Sequence, residues 1–180
     1  MPRREIVISL EEKVLETIER TDHLISLVPI DMLDWIPQLS TLQRPPVSLG
    51  HLLGHLLDCA AGFCAVFQAA YPSDLADFAL LRGVAVNQST TPEDARKHLK
   101  TYKEHIVHGF LICSDADLSR RIPTVFVADG ETLLTLLLGN LEHLMNHKYQ
   151  LFFYLRLAGV PIASNDLYNW RGTTKTQSTN

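Results

Sequence analysis

Four stretches of this chain carry apolar residues at every third or fourth position, which is the repeat of helices that bury one face. Leu10, Val14, Ile18, Thr21, Ile25 and Val28 form the first stripe; Ser9 with Glu12 reads as a capping box at its start, and Pro29 follows its end. Ser48 is positioned to cap a second helix, in which Leu49, Leu52, Leu53, Leu56, Ala60, Phe63 and Phe67 make one broad face before Pro72. Thr91, Pro92 and Asp94 form a third helix start, followed by Ala95, Leu99, Tyr102, Ile106, Phe110 and Cys113. The fourth and most apolar stretch runs from Glu131 to Ala158 with Leu133, Leu137, Leu141, Leu144, Leu151 and Leu155 on one side, and Gly159 then Pro161 stop it.

The segments between these stripes read as connections. Asp31 to Val47 contains Pro37, Pro45 and Pro46 and is expected as a long loop. A short helix is expected around Leu75 to Leu81, with Gly83 and Asn87 in loop, and the β-branched run Ile122 to Val127 reads as loop with some extended backbone. Four helices without a sustained strand pattern imply an all-α fold, a four-helix bundle whose core lies where the stripes meet. Residues 1–163 are assigned to that bundle and 164–180, rich in Ser, Thr, Asn and Gln, to a polar, flexible tail that only Leu167, Tyr168 and Trp170 could anchor.

At 180 residues and 46% hydrophobic content, the chain is long enough to bury a core without a covalent staple. Its net charge of −4 and short basic clusters, Arg3-Arg4 and Arg120-Arg121, argue against nucleic acid as a partner. No signal-peptide hydrophobic region opens the chain, and the run Leu133 to Leu138 is far too short for a membrane span. A cytoplasmic protein with no membrane partner is expected. Cys59, Cys64 and Cys113 lack CxxC spacing and read as reduced core thiols, although Cys59 lies one turn beyond His55 and could approach a site there.

Chemistry can be sought among the eight histidines. Positions four apart on a helix share a face, so His51 with His55, and His143 with His147, could each bind an ion together. His143 and His147 lie on the shoulder of the leucine face, flanked by Asn140 and Tyr154, and His55 lies nearer its apolar face than His51 does. His23, His98, His105 and His108 read as solvated surface residues. His143-Leu-Met-Asn-His147 has leucine where an HExxH metalloprotease needs its glutamate, which excludes that class.

Two segments carry a family resemblance. Pro45-Pro-Val-Ser-Leu-Gly-His-Leu-Leu-Gly-His55-Leu, within Trp35 to Leu57, resembles the entry into the second helix of the DinB/YfiT-like metal-dependent proteins. His143 to Gly159, with two histidines four apart, Gln150 three further on, then Leu155-Arg156, resembles the last-helix signature of that family. The resemblance implies an up-down-down-up bundle, often a homodimer, with His55, His143 and His147 as ligands of a divalent metal. Lys148 departs from the family pattern and projects toward the leucine side.

Three neutral imidazoles suit a borderline cation such as zinc or nickel and leave a coordination position open. Two functions follow. One is a metal-dependent hydrolase, or a transferase using a low-molecular-weight thiol, acting on a small-molecule substrate. The other is a non-enzymatic module in which the ion is structural or sensed. A bundle with no metal and hydrogen-bonded boundary histidines is a third reading. Asn140, Gln150 and Tyr154 are the candidates for orienting the ligands or contacting substrate.

Overall fold

The structure is a computed structural model, and it describes residues 3–38, 46–77, 86–123 and 129–168. It is mostly helical. Helices α1 (Glu5–Ser26), α2 (Leu49–Ala70), α3 (Pro92–Ile112) and α4 (Leu133–Leu157) share one core, and a short α5 (Ser164–Tyr168) follows. Two-residue strands β1 (Arg121–Ile122) and β2 (Glu131–Thr132) pair antiparallel ahead of α4. Every residue of the first and fourth stripes is buried.

The beginning of α1 departs from the capping-box expectation. The helix opens at Glu5, so Ser9 lies inside it and its hydroxyl donates back to the Glu5 carbonyl at 3.0 Å. The free N–H groups of Ile6 and Val7 donate instead to the Asp115 carboxylate, at 3.1 and 2.9 Å, while Arg4 donates to the carbonyls of Phe110 and Cys113 at 2.7 and 3.0 Å. A carboxylate at a helix start also meets the positive end of the helix dipole. At the other end Arg96 clamps Asp22 with two 2.9 Å bonds, so α1 and α3 run antiparallel.

Helices α2 and α3 start where their caps predict. Ser48 accepts from the His51 N–H at 3.4 Å, and Thr91 accepts from Asp94 at 3.1 Å with Pro92 in the first turn. Thr132 accepts from Thr135 at 3.1 Å, so α4 starts two residues after the expected Glu131. Glu131 and Thr132 are held in β2, and Gly130 turns into it at φ +72°, where a side chain would meet the Ile122 carbonyl at 2.5 Å. Gly159, at φ +82°, ends α4.

Helix α2 is long and apolar enough to cross a membrane by length and composition alone. Most of it is buried in the core instead, between α3 and α4. Phe67 packs edge-on to Phe110 at 4.9 Å, and Gly109 leaves room for the Phe67 ring where a Cβ would come within 2.4 Å.

Two expectations about the ends of connections change. Ser164–Tyr168, assigned to the tail, is helical, with Leu167 buried and Asp166 bonded to His23 at 3.0 Å. His23 is therefore a docking contact and not a free surface histidine. The expected helix at Leu75 to Leu81 and the residues Gly83, Val127 and Trp170 lie wholly or partly outside the described residues.

Lys148, only 3% exposed, is buried on α4 against the side of α1 that carries Lys13, Glu16 and Arg20. Burial, with the positive fields of Arg20 and Lys13, pulls its pKa down to about 8, and Glu16 opposes this. The unfolded chain holds that proton with a pKa of about 10.4, so the folded state is penalised below about pH 8 and relieved as pH rises above it. Lys148→Met should therefore raise unfolding free energy at pH 7 by about 1–3 kcal/mol. In urea titrations the advantage should shrink between about pH 8 and 10; a loss of stability would mean that the ammonium group has a stabilising partner.

Candidate metal centre

Helices α2 and α4 pack against each other and run antiparallel. Gly62 faces Asn140, a Cβ there lying 2.9 Å from Asn140 Oδ1, while at the other end His51 and Gln150 line one pocket. This register brings His55 opposite His147, and Cys59 toward His143.

The three imidazoles converge through their Nε2 atoms. His55 Nε2 is 3.0 Å from His147 Nε2 and 3.3 Å from His143 Nε2, and the rings meet edge to face. His55 Nδ1 lies 2.6 Å from Asn87 Oδ1, and His147 Nδ1 lies 2.8 Å from Gln150 Oε1. An amide oxygen only accepts, so both Nδ1 atoms carry the proton and both Nε2 atoms present bare lone pairs. Two lone pairs 3.0 Å apart repel, and a proton on His143 could relieve only one contact. A cation at the centre removes the conflict. An ion bonded tetrahedrally at about 2.0–2.1 Å sets its nitrogens about 3.3–3.4 Å apart, close to the spacing found.

Cys59 completes the cluster, with the ligand atoms of His55, Cys59, His143 and His147 all within 4.8 Å of one another. It was read chiefly as a core thiol, and it is indeed buried, 1% exposed. Burial, reinforced by the Asp58 carboxylate, pushes its thiol up to about 12, so without a cation beside it the group stays protonated. Burial also lowers the pKa of His147, opposed by its bond to Gln150 and helped by the neighbouring histidines, which keeps that imidazole neutral.

The other candidates divide. Gln150 bonds His147 and donates to the Tyr154 hydroxyl at 3.1 Å, and Tyr154 stacks edge-on against Trp35 at 5.9 Å. Asn140 has no bond to a histidine among the described residues and lies against Gly62. Asn87 was expected only as a loop residue, yet it holds His55. Its φ of +56° lies in the left-handed region that asparagine tolerates better than most residues. The segment around it straps onto α2, with Asn87 N–H donating to the Gly54 carbonyl and Thr90 N–H to the Gly50 carbonyl, both at 3.1 Å. A Cβ on Gly54 would fall 1.8 Å from the Gln88 carbonyl oxygen, so the strap needs glycine there. His51 bonds Ser48 at 3.0 Å and remains outside the cluster. His98 is not simply solvated, because its Nδ1 is buried without a partner among the described residues.

The cluster opens on a pocket of about 360 Å³ lined by Pro46, Val47, His51, Leu52, His55, Asn87, His147 and Gln150. That is the size of a small-ligand site. A second cleft, between α1 and α3, is rimmed by the ion pairs Asp22–Arg96 and Glu19–Lys103 and lies away from the histidines.

No family model matches the chain, and no curated protein matches it. A crystal structure of a DinB-like protein, YjoA of Bacillus subtilis, is similar in fold, with a TM-score of 0.61 at 23% identity over 86% of this chain and 96% of that one.

Asn87→Ala should leave the helices intact and weaken divalent-metal binding about 10- to 100-fold, since it frees the His55 ring. Gly54→Ala should weaken it similarly by displacing the strap. Chelator competition measures both, and affinities equal to wild type would show that the strap does not orient His55.

Proposed function

We propose that this chain is a DinB-like metalloprotein, an up-down-down-up four-helix bundle that holds one divalent ion, zinc or nickel, through His55, His143 and His147. The observation that carries this reading is the convergence of three Nε2 atoms at 3.0–3.3 Å while amide oxygens occupy the Nδ1 positions of His55 and His147. Such an ion would acidify a water or a thiol presented from the pocket, making either a nucleophile at neutral pH.

Of hydrolysis and thiol transfer, the pocket lining favours transfer from a low-molecular-weight thiol. Hydrolysis is best served by a general base; among the described lining residues there is no carboxylate, and His51, the imidazole outside the cluster, is bonded to Ser48. A thiol held beside the cation needs none, because the ion itself stabilises the thiolate. Pro46, Val47 and Leu52 offer apolar contact for the small-molecule electrophile, and Gln150 and Tyr154 are placed to hold His147 in position. The non-enzymatic alternative, an ion that staples α2 to α4, is favoured by the fourth donor, Cys59, in the cluster. Three buried free thiols suit a reducing cytoplasm. A homodimer also belongs to this reading, since Leu138, Phe153 and Leu157 are exposed apolar residues on α4 that a second copy could cover.

Elemental analysis of protein freed of any histidine tag should find about one ion per chain, lost in His55→Ala, His143→Ala and His147→Ala and retained in His51→Ala and His108→Ala. Full metal content in His147→Ala would refute the ligand set. A nitrogen that takes a proton cannot hold the ion, so binding should weaken with falling pH and the ion should dissociate below about pH 6. Retention to about pH 4 on dialysis would point to carboxylate ligands. Loaded protein should accelerate attack of a small thiol on an electrophile, and unchanged rates with every thiol tried would leave the staple reading in place.

A further inference from the structure

The three cysteines are all buried, but they are not equivalent. Cys64 donates to the Tyr102 carbonyl and Cys113 to the Ser114 carbonyl, each at 3.6 Å. Among the described residues the Cys59 thiol makes no hydrogen bond to another residue. It lies one turn beyond His55 on the same side of α2, and its Sγ is within 4.8 Å of the ligand nitrogens of all three histidines.

The side from which it approaches matters. His55 and His147 line the pocket, whereas Cys59 and His143 do not. Along the antiparallel pair, the order from the pocket end is His51 with Gln150, His55 with His147, Cys59 with His143, and Gly62 with Asn140. The thiol therefore lies behind the imidazoles, away from the pocket.

We propose that Cys59 is a fourth, inner ligand, so that the centre is a three-histidine, one-thiolate site rather than a three-histidine one. The inference rests on the metal-binding part of the reading above. Binding replaces the thiol proton with the ion: the S–H bond breaks, the S–metal bond forms, and the proton leaves to solvent. A metal–sulfur bond of about 2.3 Å is longer than the nitrogen bonds and suits a donor set back from the imidazole cluster. A thiolate also biases the site toward zinc and away from harder ions. An exogenous ligand would then approach from the pocket side, where His55 and His147 line the wall.

Cobalt(II) loaded into the metal-free wild-type protein tests this. The expected spectrum has a thiolate-to-cobalt charge-transfer band in the near ultraviolet beside the visible bands of a tetrahedral ion. In Cys59→Ala and Cys59→Ser the near-ultraviolet band should vanish while the visible bands persist on the three histidines. Zinc affinity, read by competition with a chromophoric chelator, should fall at least about 10-fold, the loss that even an outer-shell partner produces. Cys64→Ala should change neither. Wild-type protein that binds cobalt without the near-ultraviolet band, or a band that survives in Cys59→Ala, would overturn the assignment. The wild-type spectrum decides the matter even if the variants fold poorly. Loss of cobalt in His147→Ala with no such band in wild type would overturn the thiolate alone, whereas no cobalt binding in wild type would remove the histidine site with it.

Discussion

Burial of α2 is the constraint on which the rest depends. Its 22 residues carry a single charged side chain, Asp58, so the helix is stable in water only if other elements cover most of its circumference. Helices α3 and α4 supply that cover on two sides, and the strap at 86–90 supplies it over Gly50 and Gly54, where a Cβ would meet the Ser89 hydroxyl and the Gln88 backbone. A polar side chain on such a helix must find partners or open a cavity. His55 does both, and the centre is built around it.

What could be read in the sequence follows from this. The stripes of α1 and α4 were legible because burial on one side imposes a repeat of three to four, and the Ser48 and Thr91 caps are local chemistry. The Asp115 cap of α1 joins residues more than a hundred positions apart, so the local Ser9–Glu12 pattern offered a plausible but wrong substitute. The histidines of the centre were legible as helix-face pairs. Their partners were legible only in part: Gln150 is three residues from His147, but Asn87 is thirty-two from His55 and arrives through a loop. Cys59 was ambiguous for a different reason. Its spacing from His55 allowed either role, and only the antiparallel register of α2 against α4 sets it beside the histidines of α4.

The cluster also has a consequence for stability. The inward lone pairs of His55 and His147 repel each other without a cation, and burial of His147 disfavours relief by protonation. Native structure therefore stores a conflict between α2 and α4 that a bound ion would convert into a bridge between them. An ion that binds only the folded chain stabilises it by RT ln(1 + [L]/Kd), about 2.7 kcal/mol at a hundredfold excess over Kd. That gain would fall on the α2–α4 contact, whereas α1 and α3 are joined to each other by Asp115, Arg4 and the Asp22–Arg96 clamp.

The nature of the supporting groups sets what the pocket would prefer. Histidine ligands are commonly oriented by carboxylates, which offset part of the ion's charge and make the imidazole more basic. Here neutral amides, Asn87 and Gln150, do the orienting. Among the described lining residues no carboxylate offsets a divalent charge at this point, so a chain of net charge −4 would carry a locally positive spot in a pocket lined by neutral side chains. Such a spot favours a ligand that arrives as an anion or becomes one on contact, with an apolar body to rest against Pro46, Val47 and Leu52. A small thiol meets both conditions, and a thiolate from Cys59 behind the histidines would moderate the positive charge without closing the pocket side.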